Sequence, residues 1–120
     1  MTDRTIEIKW TDTAIEALRA LPRQAGRGLY RKVGALREAE DPRSVGKPLT
    51  GPLQGYYRLV HSRYRAVYGV EETTDAGGAP MLRITVLVLI VGKREAGSRR
   101  DIYELAKKLV AMTGDPEQSR

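Results

Sequence analysis

Arginine and tyrosine side chains alternate along residues 55–68 (GYYRLVHSRYRAVY), and they are the residues of this sequence best suited to bind a phosphate. The pattern predicts two short strands that fold back on each other at Ser62 and Arg63. In such a hairpin Arg58 and Arg65 project from the same face. Two neighbouring guanidinium groups can grip a phosphate through paired N–H bonds. The stretch therefore predicts an anion-binding face, and a pair of solvated strand arginines is the alternative.

The register of this hairpin decides which side chains are neighbours. A two-residue tip pairs Val60 with Arg65 and His61 with Tyr64. Arg58 is then the diagonal neighbour of Arg65, at a backbone separation of roughly 7–8 Å that long side chains can span. His61 falls on the opposite face, so the register predicts that it takes no part in the anion site.

A second candidate segment ends the most apolar part of the chain. Arg94 belongs to residues 91–95 (VGKRE), at the end of an expected strand, where binding sites are commonly built. Tyr103 follows in an expected helix, where its phenol can act as a general acid or base. A core position beside Ile102 and Leu109 is the alternative for this tyrosine. Three further cations are expected to steer a nucleic-acid backbone: Lys93, Arg99 and Arg100.

Composition excludes several classes of function. The chain has 120 residues, which predicts one domain with one core, and it has no cysteine and one histidine, His61. Disulfides, thiolate metal sites, zinc sites with several His or Cys ligands and nuclease mechanisms with two histidines are therefore ruled out. We expect neither a metal nor a cofactor. Residues 2–9 do not resemble a signal peptide, and the apolar run 86–91 is too short to cross a membrane, so we expect a soluble cytoplasmic protein.

Positive charge is concentrated around the candidate residues. The net charge is +6, and residues 41–70 carry five Lys or Arg against one Asp. Residues 91–108 carry six against three acids, whereas residues 71–90 carry one against three. This distribution is typical of a polyanion binder, and a solubilising basic surface is the alternative.

Hydrophobic periodicity predicts an α+β domain in the order β-α-α-β-β-β-α. The expected elements are a strand at 5–10, helices at 13–21 and 23–40, the hairpin at 55–68, a strand at 81–91 and a helix after Ser98. We expect a mainly antiparallel four-stranded sheet, an N-terminal helical hairpin and a C-terminal helix. Residues 1–112 form the single domain and 113–120 a flexible tail.

Short sequence motifs predict where the helices begin and where the loops lie. Thr13 with Glu16, and Ser98 with Asp101, have the spacing of capping boxes at the starts of the first and last helices. Residues 41–55 are expected to be a loop anchored by two leucines, and residues 73–80 a polar turn. The anchors are Leu49 and Leu53.

Three stretches together resemble the RelE/ParE superfamily of bacterial toxins. They are GPLQGYYRLVHSRYRAVY at 51–68, VLVLIVGKRE at 86–95 and RRDIYELAKKL at 99–109. The resemblance extends over most of the chain, including the opening strand and two helices. It implies the toxin of a toxin–antitoxin pair, bound by a cognate antitoxin, and it allows a hetero-oligomer of the two.

The RelE branch of this superfamily consists of endoribonucleases that act on messenger RNA in the decoding site of the ribosome. The resemblance implies attack by the nucleotide's own 2′-hydroxyl, which needs neither a metal nor a covalent protein intermediate. By motif position, Arg65 and Arg94 would stabilise charge on the phosphorane, Tyr103 would transfer a proton or stack on a base, and Arg58 would hold phosphate. Lys47 and Arg63 join Lys93, Arg99 and Arg100 as expected RNA-binding residues.

The sequence departs from the family pattern at three places. Val60 stands where many relatives carry a second basic residue, the hairpin tip is Ser62-Arg63, and three extra residues (96–98) lengthen the spacing from Arg94 to Tyr103. Two alternatives therefore remain. One is the ParE branch, which poisons DNA gyrase, and the other is a non-enzymatic relic that only binds a partner.

Overall fold

The computed structural model describes residues 3–75 and 81–113, which form one five-stranded sheet with helices on both faces. The strands are β1 (Asp3–Trp10), β2 (Lys47–Pro48), β3 (Tyr56–His61), β4 (Tyr64–Asp75) and β5 (Met81–Lys93). The helices are α1 (Asp12–Ala20), α2 (Arg23–Gly34), α3 (Pro42–Val45) and α4 (Ile102–Thr113). Short 3-10 helices span Ala35–Glu38 and Gly51–Leu53.

The sheet has the strand order β1-β5-β4-β3-β2, with β1 and β5 parallel and the other neighbours antiparallel. The predicted α+β class is confirmed, but the prediction of four strands is wrong. The additional strand, β2, lies within the predicted loop and pairs with Tyr57 and Arg58. Two residues are too few to show alternation, and Pro48 is tolerated because β2 is an edge strand.

The hairpin of β3 and β4 has the predicted register. Val60 pairs with Arg65 and His61 pairs with Tyr64, so the tip consists of Ser62 and Arg63. Ser62 has a φ of 57°, in the left-handed region that tight hairpin turns require.

A β-bulge in β5 changes which side chains face which side of the sheet. Val67 pairs with Ile90, whereas Tyr68 pairs with Val88, so Leu89 is an extra residue in β5. Val88 packs in the core beneath α1 and α2, while Leu89 and Ile90 both pack in the core beneath α4. The alternation is therefore reversed beyond the bulge.

The two sides of the sheet bury separate apolar clusters. Leu29, Val33 and Leu36 cover one face, and Ile102 and Ala106 of α4 cover the other. All five are essentially inaccessible to solvent. The predicted anchors of the 41–55 segment are confirmed on the α4 side, where Leu53 is buried and Leu49 packs against the same cluster.

The first helix starts two residues earlier than predicted. Thr11, not Thr13, is the N-cap of α1: its hydroxyl oxygen accepts the N–H of Ala14 at 3.0 Å. The same hydroxyl donates to the carbonyl of Leu89 at 2.8 Å. Thr11 rather than Thr13 caps the helix because its hydroxyl bonds both to α1 and to the bulged residue Leu89. Leu89 is distant along the chain, so no local sequence pattern predicts this second bond.

The predicted C-terminal tail and the predicted polar turn lie mostly outside the described residues. The predicted tail lies outside the described residues except for Thr113, which ends α4. Residues 73–75 of the predicted turn belong to β4, and residues 76–80 lie outside the described residues.

Within residues 3–75 and 81–113, no helix combines the length and hydropathy that crossing a bilayer requires.

Tyr68 connects the central strand to the segment that carries β2. Its ring is fully buried, its hydroxyl donates to the carbonyl of Pro42 at 2.7 Å, and it accepts the N–H of Gly46 at 3.0 Å. A Cβ on Gly46 would lie 2.4 Å from this hydroxyl and 2.6 Å from the Arg58 carbonyl, so only glycine allows this approach. Tyr68 thereby holds β2 beside Arg58.

Removing the Tyr68 hydroxyl should destabilise the fold. Tyr68→Phe leaves the Pro42 carbonyl and the Gly46 N–H without their partner, and we expect a loss of about 1–3 kcal/mol in urea unfolding. Tyr30→Phe, on an exposed ring, is the control and should change stability little.

Alkaline titration provides a second measurement on the same variants. Burial is the main cause that raises the pKa of Tyr68 to about 12; the hydrogen bond from Gly46 opposes the rise, and the nearby Tyr57 and Asp41 add to it. Its neutral form therefore stabilises the folded state fully below pH 10, and this contribution is lost as the pH rises toward 12. An equal alkaline loss in Tyr68→Phe would contradict the assignment.

Candidate functional site

Three of the predicted site residues form one contiguous cluster on the α4 side of the sheet. Arg58 of β3 donates from Nη1 to the phenol oxygen of Tyr103 at 3.3 Å. The guanidinium of Arg94 lies over the Tyr103 ring, 4.8 Å from its centroid. Strand β3, the end of β5 and the first turn of α4 thus each supply one side chain.

The carboxylate of Asp101 holds this cluster in place. Its side chain is almost fully buried, and Oδ2 lies 2.5 Å from Nη1 of Arg94. Oδ1 accepts the N–H of Glu95 at 2.6 Å, and Oδ2 also accepts the N–H of Tyr103 at 3.1 Å. One carboxylate therefore ties the end of β5, the turn that follows and the start of α4.

The protonation state of Asp101 follows from these contacts. Burial acts to raise its pKa, but the hydrogen bonds from Arg94, Glu95 and Tyr103, together with the charge of Arg94, outweigh burial. The pKa of Asp101 therefore lies below its ordinary value of 3.8, and the carboxylate is charged at neutral pH.

The predicted capping box at Ser98 is wrong, because Asp101 is itself the residue that caps α4. The Ser98 hydroxyl accepts the N–H of Arg100 at 3.0 Å within the preceding turn. The Ser98 carbonyl accepts the N–H of Asp101 at 3.2 Å. Gly97, with a φ of 83°, provides the left-handed residue that this turn needs. The three extra residues thus form a turn that closes on Asp101.

Close packing at Gly92 brings α4 to the cluster. A Cβ on Gly92 would lie 3.1 Å from Cδ1 of Ile102, which is tighter than ordinary contact. Gly92 pairs with Arg65 and lies two residues before Arg94. The helix can therefore approach the strand closely enough for Tyr103 to reach Arg94.

Arg65 lies on the same face but is turned toward the hairpin tip. Its Nη1 donates to the carbonyls of Ser62 at 2.9 Å and Tyr64 at 3.0 Å. Arg65 is half-buried, so it is not one of the solvated strand arginines that were the alternative to an anion-binding face. The structure therefore brings Arg58, Arg94 and Tyr103 into contact, with Arg65 beside them on the sheet and bonded elsewhere.

Two of these arginines each leave one N–H group without a partner. The Nε atoms of Arg58 and Arg65 are buried and make no hydrogen bond. An unsatisfied buried donor costs roughly 1–3 kcal/mol. An anion at the cluster can accept these Nε–H groups, so each guanidinium group would gain a hydrogen bond by rearranging around it.

The other predicted RNA-binding residues surround the cluster with exposed charge. Arg63 is at the hairpin tip, where its carbonyl accepts the N–H of Arg94 at 2.7 Å. Val60 is partly exposed on the Arg65 side of the hairpin, with no basic side chain in its place. The remaining members are all exposed: Lys47, Lys93, Arg99 and Arg100.

His61 lies on the opposite face of the sheet, as the register predicts. A Cβ on Gly28 of α2 would lie 2.2 Å from Nε2 of His61, so the imidazole packs directly on the α2 backbone. It is therefore a packing residue in this arrangement, remote from the arginine cluster.

No group of three or more His, Asp or Glu side chains able to hold a metal ion occurs among residues 3–75 and 81–113. The cluster itself is rich in cations, with Asp101 as the acid at its centre. Its chemistry is that of anion binding, because guanidinium groups carry only donors.

Comparison with known proteins finds a solved structure that is similar to this fold. Neither the protein-family models nor the curated proteins match this sequence. A chain of the crystal structure of the toxin–antitoxin complex RelBE2 from Mycobacterium tuberculosis does match, with a TM-score of 0.56 and 27% sequence identity. The match covers 75% of this chain and 92% of that chain.

The likeness is to a chain of a toxin–antitoxin complex. It agrees with the resemblance that the sequence motifs carry, and it accounts for the α+β fold with its mixed sheet. The roles of individual residues stay predictions, because a shared fold does not assign chemistry to side chains.

Sequence reasoning missed the roles of Asp101 and of the bulge at Leu89. For Asp101 a signal was present: an aspartate directly before an apolar helical stripe is a strong N-cap. It was instead read as the partner of Ser98. For Leu89 no signal existed, because a run of Leu, Ile and Val looks the same whichever way each residue points.

Asp101→Asn should weaken the fold and loosen Arg94. Asparagine still accepts one backbone N–H but loses the ion pair, and we expect about 1–3 kcal/mol lower unfolding free energy. The lower half of that range is favoured, since Arg94 is 39% exposed and regains contact with water. Glu104→Gln, in an exposed pair with Lys107, is the control.

The pH dependence of this difference tests its cause. Because the folded-state pKa of Asp101 is lowered, its charge stabilises the fold fully above pH 3.8 and the contribution is lost as the pH falls through the folded-state value. The gap between wild type and Asp101→Asn should therefore close on acidification. A gap that is independent of pH would contradict the ion pair as the cause.

Proposed function

We propose that this protein is the toxin of a toxin–antitoxin pair and that it cleaves messenger RNA on the ribosome. The observation that carries the proposal is the contact of Arg58 and Arg94 with Tyr103, braced by Asp101. Support comes also from the likeness to a chain of a toxin–antitoxin complex.

The proposed reaction needs little covalent chemistry from the protein. The 2′-hydroxyl of a nucleotide attacks the adjacent phosphorus, the O2′–P bond forms and the P–O5′ bond breaks. The products are a 2′,3′-cyclic phosphate and a 5′-hydroxyl, so one proton leaves O2′ and one reaches O5′. Negative charge builds on the phosphorane, and cations fixed beside it lower the barrier.

Arg94 is suited to this charge because it is both fixed and available. Asp101 engages its Nη1, yet a guanidinium has five N–H donors and the side chain is 39% exposed. The other donors can therefore meet a phosphate without breaking the ion pair. Arg58 and Arg65 would add donors from the sheet face, beginning with their unpartnered Nε groups.

Tyr103 would transfer a proton in this reaction. Because the guanidinium of Arg58 can only donate, the phenol oxygen accepts this bond and its own hydrogen stays free for another acceptor. A departing 5′-oxygen is such an acceptor. One face of the ring is already covered by Arg94, so proton transfer is favoured over stacking on a base at that face.

The partners follow from the same proposal. A cognate antitoxin would bind the toxin, and the ribosome with its messenger RNA would present the substrate, in the cytoplasm. Neither a metal nor a cofactor is required for attack by the substrate's own hydroxyl. The exposed cations Lys47, Arg63, Lys93, Arg99 and Arg100 would steer the RNA backbone toward the cluster.

Expression of the chain without an antitoxin should arrest growth and protein synthesis. Mapping of 5′ ends on translated messages should then reveal new 5′-hydroxyl ends. Intact messages together with lost DNA supercoiling would assign the protein to the gyrase-poisoning branch instead. Intact messages with normal growth would leave a binding relic.

Arginine variants test the cluster directly. Arg65→Ala and Arg94→Ala should each lower cleavage about 10²–10³-fold, the usual cost of removing one donor to a developing oxyanion. Arg37→Ala, on an exposed arginine remote from the cluster, should cleave normally. Full toxicity in either test variant, at wild-type protein levels, would remove that arginine from the mechanism.

Tyr103→Phe separates proton transfer from packing. Phenylalanine keeps the ring beneath Arg94 and removes only the hydroxyl, so we expect cleavage to fall about 10²–10⁴-fold with the fold intact. Circular dichroism and thermal unfolding check the fold. Unchanged cleavage would restrict Tyr103 to packing or stacking.

A further inference from the structure

Helix α2 carries a row of cations on the side of the molecule opposite the candidate site. Arg23, Arg27 and Arg31 recur every four residues, and all three are exposed. A helix rises about 1.5 Å per residue, so the row spans about 12 Å along one face. Gly34 continues the same face at the end of the helix. We call these four positions the α2 stripe.

The α2 stripe has no counter-charge. The helix contains no acidic residue, and no carboxylate among the described residues forms an ion pair with Arg23, Arg27 or Arg31. The neighbouring Lys32 lies off the stripe, and its amine donates to the carbonyl of Val60.

Helix stability does not account for the row. Arg23 begins α2, where the helix dipole is positive and a cation costs about 0.3–1 kcal/mol, whereas Arg31 lies in the last turn, where the dipole favours a cation.

We propose that the α2 stripe docks the phosphate backbone of double-helical RNA, independently of its sequence; the choice of RNA over DNA rests on the proposed function. A straight row of exposed arginines that pair with no carboxylate of the described residues matches the ridge of phosphates along a duplex. Because α2 and α4 cover opposite faces of the sheet, the docked duplex and a strand in the candidate site would not compete for the same surface. Docking does not depend on cleavage.

Single-stranded RNA suits this surface less well. Its binding relies on aromatic rings on which bases stack. Beside the α2 stripe, helix α2 exposes one aromatic ring, Tyr30, which is 57% exposed. That ring is already stacked on Trp10 at a centroid distance of 5.7 Å.

An acidic protein and a membrane also fit less well. A protein interface needs an apolar centre, and Tyr30 is the one large exposed apolar side chain that α2 presents among the described residues. Insertion into a membrane surface needs an exposed apolar helix face. The apolar face of α2, with Leu29 and Val33, is buried in the core.

Gly34 offers a test that removes no existing contact. A Cβ at this position meets nothing within 4 Å, and its backbone is ordinary right-handed helix. Gly34→Lys should bind a short RNA hairpin duplex about 2–5-fold more tightly at low salt, and Gly34→Glu more weakly by a similar factor. Gly34→Gln is the matched control for the change in helix propensity.

The triple variant R23Q/R27Q/R31Q tests the row itself. The slope of log affinity against log salt should become shallower by about 2.7, from about 0.9 for each lost phosphate contact on a duplex. The triple variant K9Q/R83Q/K108Q loses the same net charge away from α2 and should keep most of the wild-type slope. Equal losses in both would show that only net charge matters and would overturn the proposal.

Three further outcomes are decisive. Arg65→Ala should lower cleavage about 10²–10³-fold yet bind the duplex normally, which separates this inference from the proposed function. Tighter binding of a single strand of equal length, with the Gly34 series showing its effect there, would overturn duplex docking. An unresponsive Gly34 series on RNA, with weakened binding of the antitoxin instead, would assign the stripe to a protein partner.

Discussion

The ion pair between Asp101 and Arg94 is the contact on which the candidate site depends. Without the Asp101 carboxylate, the turn before α4 loses its bond to Glu95, the helix loses a cap at Tyr103, and Arg94 loses its anchor. The same group therefore builds the local backbone and aims the reactive side chain. A change at Asp101 should therefore alter both the stability of the fold and the position of Arg94, because both depend on this one buried charge.

The sheet separates two groups of arginines with different surroundings. On the α4 side, arginines are braced and half-buried around Tyr103, an arrangement suited to charge that appears during a reaction. On α2, exposed arginines pair with no carboxylate of the described residues, an arrangement suited to a phosphate backbone already carrying its charge. The tight packing of His61 on Gly28 belongs to the scaffold between these surfaces.

Glycine and the bulge explain how a small sheet brings distant residues together. The extra residue Leu89 reverses the alternation of β5, so Gly92 faces α4 instead of the α1–α2 side. Gly92 then admits Ile102 at close range. As a result, Arg94 and Tyr103, separated by a lengthened turn, meet at the end of the sheet.

The sequence by itself determined the α+β class, the hairpin register and the face shared by Arg58 and Arg65, because period-two alternation and a two-residue tip are local properties. Motif resemblance also predicted Arg94 and Tyr103 as site residues, and the structure brings these two side chains into contact. Only the tertiary structure decided that Asp101 caps α4, that β2 exists and that Leu89 is bulged. Each of these depends on a contact between segments distant along the chain, and such contacts leave no periodic signal in the sequence.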